Sequence, residues 1–305
     1  MPVNARSMKK KPWNNQWAGY LYILPWIIGL LAFQLIPLVS SLFFSFTNYT
    51  IIGDTKFVGL NNYITAFTFD ANFLKSLRVT LIYAFTAVPV KLLMALTMAL
   101  LLNYALKGIR LFRTAFYLPS IMGASVAVSI LWRFMFMKTG YINSILTYIG
   151  FQPVDWMGTA ATALFTIELI TVWQFGSSMV LYLAALKLVP LELYESARID
   201  GAGALRRLLK ITLPMISPVI FFTIVMQTIL GFQDFTAPML VTSGGPNKAT
   251  YLYGLLLYDN AFRFFKMGYA SALSWILFTI IIAVTVIIFR FSNVLVHYQY
   301  EDEEK

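Results

Sequence analysis

Pro190-Leu191-Glu192-Leu193-Tyr194-Glu195-Ser196-Ala197-Arg198-Ile199-Asp200-Gly201-Ala202-Gly203 lies between two long apolar runs. Its local physics is legible residue by residue. Pro190 suits the first position of a helix, where its missing N–H would have no partner in any case. Glu192 and Glu195 then sit near the positive end of the helix dipole. Leu191, Tyr194 and Ala197 recur at helical spacing and give one apolar edge. Gly201 ends the helix, because only glycine readily takes the left-handed cap. A second short helix is expected next, with Leu205, Leu208 and Leu209 on one side and Arg206, Arg207 and Lys210 on another, stopped by Pro214 and Pro218. The product is a compact helix–turn–helix with acidic and basic groups beside a small apolar edge. On this physics alone it suits a connector resting on lipid headgroups as well as a surface for another protein.

The flanks say what is being connected. The chain has 305 residues, 59% hydrophobic and 12% charged, with a mean hydropathy of +0.72. A soluble domain carries about a quarter charged residues, so this much apolar surface needs a bilayer. Spanning the hydrocarbon takes about 20 apolar residues in a helix. Six runs qualify: 18–46, 77–104, 113–137, 160–187, 215–238 and 270–296. The fold class is therefore an all-α membrane protein, six transmembrane helices with the helix–turn–helix at 190–214 between the fourth and fifth. A basic tail, 1–17, precedes the spans and an acidic one, 297–305, follows them. The first run follows Arg6, Lys9, Lys10 and Lys11 but exceeds the usual h-region of a signal peptide, so it is read as a retained span. Pro25 and Pro37 within it are tolerable where neighbours satisfy the freed backbone groups.

Six spans put both termini on one side. Placing that side in the cytoplasm gives it fourteen of the twenty-three lysines and arginines, against eight outside and Lys91 within a span. That majority predicts cytoplasmic termini and a cytoplasmic 190–214 loop. The external segments 47–76, 138–159 and 239–269 are too short for a soluble domain. The last opens on a turn, Ser243-Gly244-Gly245-Pro246-Asn247, and its semi-apolar stretch 251–265 is expected to lie flat at the interface.

Glu195-Ser196-Ala197, three residues, Gly201, nine residues, then Ile211-Thr212-Leu213-Pro214 resembles the EAA loop of bacterial ABC-importer permeases. The one departure is Ser196 for the usual alanine, and both are small. Phe57-Val58-Gly59-Leu60-Asn61-Asn62-Tyr63 and Thr242-Ser243-Gly244-Gly245-Pro246 are similar to motifs of that family's carbohydrate-uptake branch. The resemblance implies a type I importer fold in a bacterial inner membrane. It also implies four kinds of partner: a second permease, two ATPase subunits, an extracellular solute-binding protein and a carbohydrate solute. In such a permease Glu195, Ser196, Ala197 and Asp200 would meet the ATPase, Gly201 would turn the loop, and Ile211, Leu213 and Pro214 would anchor it to the fifth span. No cofactor is expected on this chain; ATP and Mg belong to the ATPase partners.

Polar residues at mid-bilayer depth mark pathways. Gln227, Leu230, Gly231 and Asp234 share one helical face of the fifth span, and the fourth carries Glu168, Trp173, Gln174, Ser177 and Ser178. At ~1.5 Å per residue, Gln174 and Gln227 lie roughly 15–20 Å in. The resemblance puts the solute path on these two helices, at Trp173, Gln174, Ser177, Gln227, Leu230, Gly231 and Asp234. Amides and a carboxylate hydrogen-bond hydroxyls, and an aromatic face packs on a sugar's C–H side. Mutual satisfaction within the bundle is the bland reading of each of these groups. Lys91 is expected to play a structural part, paired with Glu168 or a partner's carboxylate. Gly123, Ala124, Ser125, Ala127 and Ser129 give the third span a small-residue side for close helix contact.

Other classes fit less well. No phosphate-cradling G-x-x-x-x-G-K-[ST] occurs, cysteine is absent and His297 is the lone histidine. A catalytic triad, a metal cluster and ATP hydrolysis by this chain are therefore not expected. The basic residues sit at span ends, which argues against nucleic acid. An importer for a polyol, a glycerol phosphate or a peptide is an alternative, although a phosphate ester would favour a cationic lining. An ion-driven transporter would predict interrupted spans in both halves and gives no reason for the loop. A membrane enzyme is third, with Glu168, Asp234 and His297 too scattered to specify a site.

Overall fold

The computed structural model describes residues 16–51, 53–104, 107–123 and 125–292. The cluster Arg6, Lys9, Lys10 and Lys11, Ala124, and the acidic tail with His297 lie outside these residues. So does the basic tail, except its last two positions, which open the first helix.

Among the described residues the chain is helical, with one isolated antiparallel bridge between Thr47 and Phe57. The first span joins α1 (Gln16–Leu30) and α2 (Ile36–Ser45) through a π-helical turn, Leu31–Leu35. A short α3 (Asn61–Thr68) precedes the second span, α4 (Ala71–Leu102). At ~1.5 Å per residue α4 is roughly 48 Å long, more than a core of about 30 Å requires, so it projects beyond the hydrocarbon. Asp70 caps it, its side chain accepting from the backbone N–H of Asn72 at 2.9 Å.

The third span is not the single helix the apolar run suggests. It is α5 (Ile109–Met122) and α6 (Val126–Met135), inclined at 106° to each other. Gly123 ends α5 with a φ of +60°, and Ser125 caps α6. Gly123 and Ser125 thus make a corner, while Ser129 is buried on α6. After α7 (Tyr141–Tyr148), the fourth span is α8 (Ala160–Trp173) and α9 (Gly176–Leu188), bent by 41°. The loop helix α10 (Leu191–Ile199) follows, then α11 (Ala204–Arg207).

Pro214 does not stop the second loop helix. From α11 the chain passes through a π turn, Leu208–Thr212, straight into α12 (Leu213–Gln233). Leu213 donates its N–H to the carbonyl of Leu208, five residues back, immediately before the proline. Ile36 does the same to Leu31 before Pro37. A proline ring crowds the carbonyl four residues behind it, and the wider π turn accommodates it without ending the helix.

The stretch 251–265 is not exposed along its length, as a helix lying flat would be: Phe262, Phe264 and Phe265 are bare, but the part before them is not. Its α13 (Tyr253–Tyr258) is buried, with the Tyr253 hydroxyl donating to the carbonyl of Leu273 at 2.8 Å and its N–H to Thr80 Oγ1 at 2.7 Å. The last span is α14 (Met267–Arg290), with α2 alongside it. The main apolar core joins α4, α9 and α12 around Leu92, Met179, Tyr182 and Ile216. A second joins α3, α4, α12, α13 and α14 around Phe73, Phe232 and Leu273. By length and hydropathy four helices qualify as spans, and six if each bent pair counts as one.

Candidate functional site

The loop 190–214 has an inner and an outer side. Helix α10 ends in a Schellman arrangement: Ala202 N–H donates to the Ala197 carbonyl at 2.8 Å and Gly201 N–H to that of Arg198 at 3.0 Å. Gly201 has a φ of +74° with open space where a Cβ would stand, so its constraint is the left-handed backbone and not room. On the inner side Tyr194 packs against the main core and bonds Thr212 Oγ1 through its hydroxyl at 2.9 Å. Ile211 and Leu213 pack on the same core, and Pro214 sits in the first turn of α12. The expected apolar edge is therefore split, with Tyr194 turned inward and Leu191 outward at 73% exposure. Glu195, Ser196 and Asp200 are exposed, and Ile199 beside them is 87% exposed. Charge and bare apolar surface thus share the outer side.

About 30 Å along α12, taking ~1.5 Å per residue, the helix breaks at Asp234 beside a cavity of 400 Å³. Gln174, Gln227, Leu230, Gly231 and Asp234 all line it. Trp173 and Ser177 do not. Trp173 packs on Trp132 at 5.6 Å between ring centroids, and the Ser177 N–H donates to Ser120 Oγ at 3.0 Å. Gly231 lets α12 approach α4, since a Cβ there would lie 3.1 Å from Val88 Cγ2.

The third, fourth and fifth spans break at a common level. Gln174 ends α8, and its side-chain amide donates to the carbonyl of Gly123, where α5 ends, at 3.1 Å. Ser120 Oγ donates to the Gln174 carbonyl at 2.9 Å. Asp234 ends α12. Its carboxylate accepts from the Tyr83 hydroxyl at 2.5 Å and faces the backbone N–H groups of Thr236 and Ala237, where the chain becomes helical again. The Tyr83 hydroxyl also meets Thr171 Oγ1 at 2.6 Å, joining the second, fourth and fifth spans. These bonds satisfy the backbone freed by the breaks, the condition for irregular chain at membrane depth.

Periodicity within single spans misses Tyr83, Thr171 and Ser129, which also line the cavity. So does Lys91, whose expected pairing with Glu168 is absent: Glu168 bonds the Thr86 hydroxyl instead. Among the described residues the one ion pair is Arg263–Asp259, at 3.1 Å, near the other end of the bundle. There Tyr251 donates to Asp259 at 2.8 Å, and burial with that carboxylate raises its phenol well above the usual value. Among the described residues no group of three or more histidine, cysteine, aspartate or glutamate side chains comes together.

A bundle of apolar helices, broken around a polar cavity and tied to an exposed loop, defines a multi-span transport subunit. Residues 63–298 match the family described as "Binding-protein-dependent transport system inner membrane component". Similar chains are the probable ABC transporter permease protein YesP of Bacillus subtilis, 45% identical over 98% of this chain and 96% of its own, and the sn-glycerol-3-phosphate transport system permease protein UgpA of Yersinia pestis, 36% identical over 93% and 96%. The trehalose/maltose transport system permease protein MalF of Thermococcus litoralis is 33% identical over 88% and 91%. A chain of a bacterial ABC transporter importing the acidic polysaccharide alginate has the same fold, with a TM-score of 0.80 and 21% identity over 92% of this chain and 96% of that one. This chain belongs to the binding-protein-dependent transport family of inner-membrane components. It is a permease subunit of an ABC importer, a transport protein and not an enzyme.

Proposed function

We propose that this permease forms, with a second permease, the path for a sugar or oligosaccharide, and that two ATPase subunits drive it through the 190–214 loop. The observation that carries this reading is the unbroken helix from Ala204 through α12, anchored at one end by Tyr194–Thr212 and reaching the cavity at the other. A push on the exposed face of α10 would travel along a rigid element to Gln227, Gly231 and Asp234. Glu195, Ser196, Ala197 and Asp200 are assigned to the ATPase contact, Gly201 to the turn, and Ile211, Leu213 and Pro214 to the anchor. An exposed acid beside bare leucine and isoleucine suits a groove with basic groups and apolar walls. ATP and Mg would be used by the ATPase chains, and an extracellular binding protein would deliver solute. Both termini are placed in the cytoplasm.

The sugar reading draws on the motifs of the carbohydrate branch, on the trehalose/maltose relative and on a lining of amides and hydroxyls, which suits polyhydroxylated solutes. The assay is co-purification of the permease pair with its ATPase, then ATP-driven sugar uptake in proteoliposomes, comparing wild type with Glu195→Ala and Gly201→Asp. Both variants are expected to lose ATPase and uptake together. Wild-type retention and uptake in both would refute the docking role.

A further inference from the structure

We propose that Lys91 is a solute-recognition residue and that the solute carries a carboxylate, as an acidic saccharide does. The inference rests on reading the cavity between α4, α6, α8 and α12 as the solute path. Lys91 is 8% exposed and lines that cavity. Among the described residues no carboxylate lies within 4.0 Å of its ammonium. A buried ammonium is costly unless an acceptor compensates it.

The cavity's own carboxylate does not fill that need. Asp234 is already engaged by the Tyr83 hydroxyl at 2.5 Å, and it lies more than 4.0 Å from the Lys91 ammonium. Ser129 lies on the same lining, 1% exposed, with its hydroxyl lacking a hydrogen-bond partner. Two donors, one of them charged, therefore line the cavity without a hydrogen-bond partner among the described residues. A carboxylate supplies two oxygens for charge-assisted bonds. A phosphate dianion would bring a second negative charge next to Asp234, so a single ammonium favours the monoanion.

The same sign of charge recurs on α6. One helical turn beyond Ser129 on α6, Arg133 lines a second cavity of 420 Å³ together with Arg263. Arg263 is held by Asp259 at 3.1 Å; Arg133 has no such carboxylate among the described residues. A second cation on α6 adds to the positive field that attracts an anionic solute.

The test uses the complete transporter, with partner permease, ATPases and binding protein, in proteoliposomes. Its probes are short oligogalacturonates, the same oligosaccharides with their carboxyls reduced to alcohols, and a hexose phosphate. Wild type should take up the acidic sugars over the reduced ones by about tenfold, what one charged hydrogen bond is worth. Lys91→Met should cut that ratio by about tenfold, and Lys91→Arg should hold it within about threefold, because charge rather than shape is the requirement. A ratio is insensitive to poor assembly of a variant, and the wild-type panel needs no variant. Wild-type uptake favouring the reduced sugars or the hexose phosphate would overturn the proposal while leaving ATP-driven solute uptake by this path intact. So would an unchanged ratio in Lys91→Met, the result expected if Lys91 only braces the bundle. Uptake of none of the three would overturn the sugar-path reading with it.

Discussion

Tyr83 holds two spans to its own with one hydroxyl, donating to Asp234 at 2.5 Å and meeting Thr171 at 2.6 Å. Removing that hydroxyl leaves a carboxylate short of a donor at membrane depth. Tyr83→Phe is expected to cost about 1–3 kcal/mol, read as a lower Tm of the purified permease in detergent, with uptake reduced as well. An unaltered Tm would mean that the contact contributes nothing. Gly201 works through its backbone alone. At a φ of +74° with open space around it, Gly201→Asn should keep ATPase coupling, because asparagine tolerates the left-handed region. Gly201→Val should lose coupling, at a strain of about 1–2 kcal/mol. The readout is ATP hydrolysis stimulated by solute-loaded binding protein. Equal stimulation in both variants would refute the turn's role.

Among the elements, α9 and α5 approach each other closely. A Cβ on Gly176 would stand 2.4 Å from the carbonyl oxygen of Phe116 and 2.7 Å from Tyr117 Cα, both backbone atoms with little room to move. Gly176→Val must push the fourth span off the third. It is expected to destabilise by about 1–3 kcal/mol or more, with a sharp fall in folded yield by size-exclusion chromatography in detergent. Normal yield and Tm would show that the helices separate freely. The bent pairs carry a second lesson. Each half of the third and fourth spans is apolar enough to pass as part of one run, so hydropathy alone reads through the corners at Gly123 and Gln174. Interrupted spans were expected of ion-driven transporters; here they occur in an ABC permease, with helix ends at Gly123 and Gln174 satisfied by side chains from neighbouring spans.

Across the whole molecule, α12 links the two sites and the first span stands apart. None of the most apolar stretch of Tyr20–Ser45 is buried inside this chain, with Phe33 83% and Tyr22 77% exposed. A bare apolar helix is stable in lipid or against another subunit, unlike in water. The proposed orientation is open to a direct measurement, because the chain has no cysteine to remove. Ala204→Cys, on the loop, should react with a membrane-impermeant maleimide only after the cytoplasmic face is opened. Lys56→Cys should react in intact cells. The reverse pattern would place the loop outside and end the coupling proposal.

The sequence by itself determined the bilayer as solvent, the six apolar runs, the loop with its glycine turn, and the shared face from Gln227 to Asp234. Each of these is written in residues close together in the chain, as composition, period or spacing. Only the tertiary structure decided that Tyr83, Lys91 and Ser129 meet that face and that Trp173 turns to Trp132 instead. Those outcomes depend on where helices cross, which is set by contacts such as Gly231 against Val88 and Gly176 against Phe116. The partners in such contacts lie tens of residues or more apart along the chain, so no local pattern contains them.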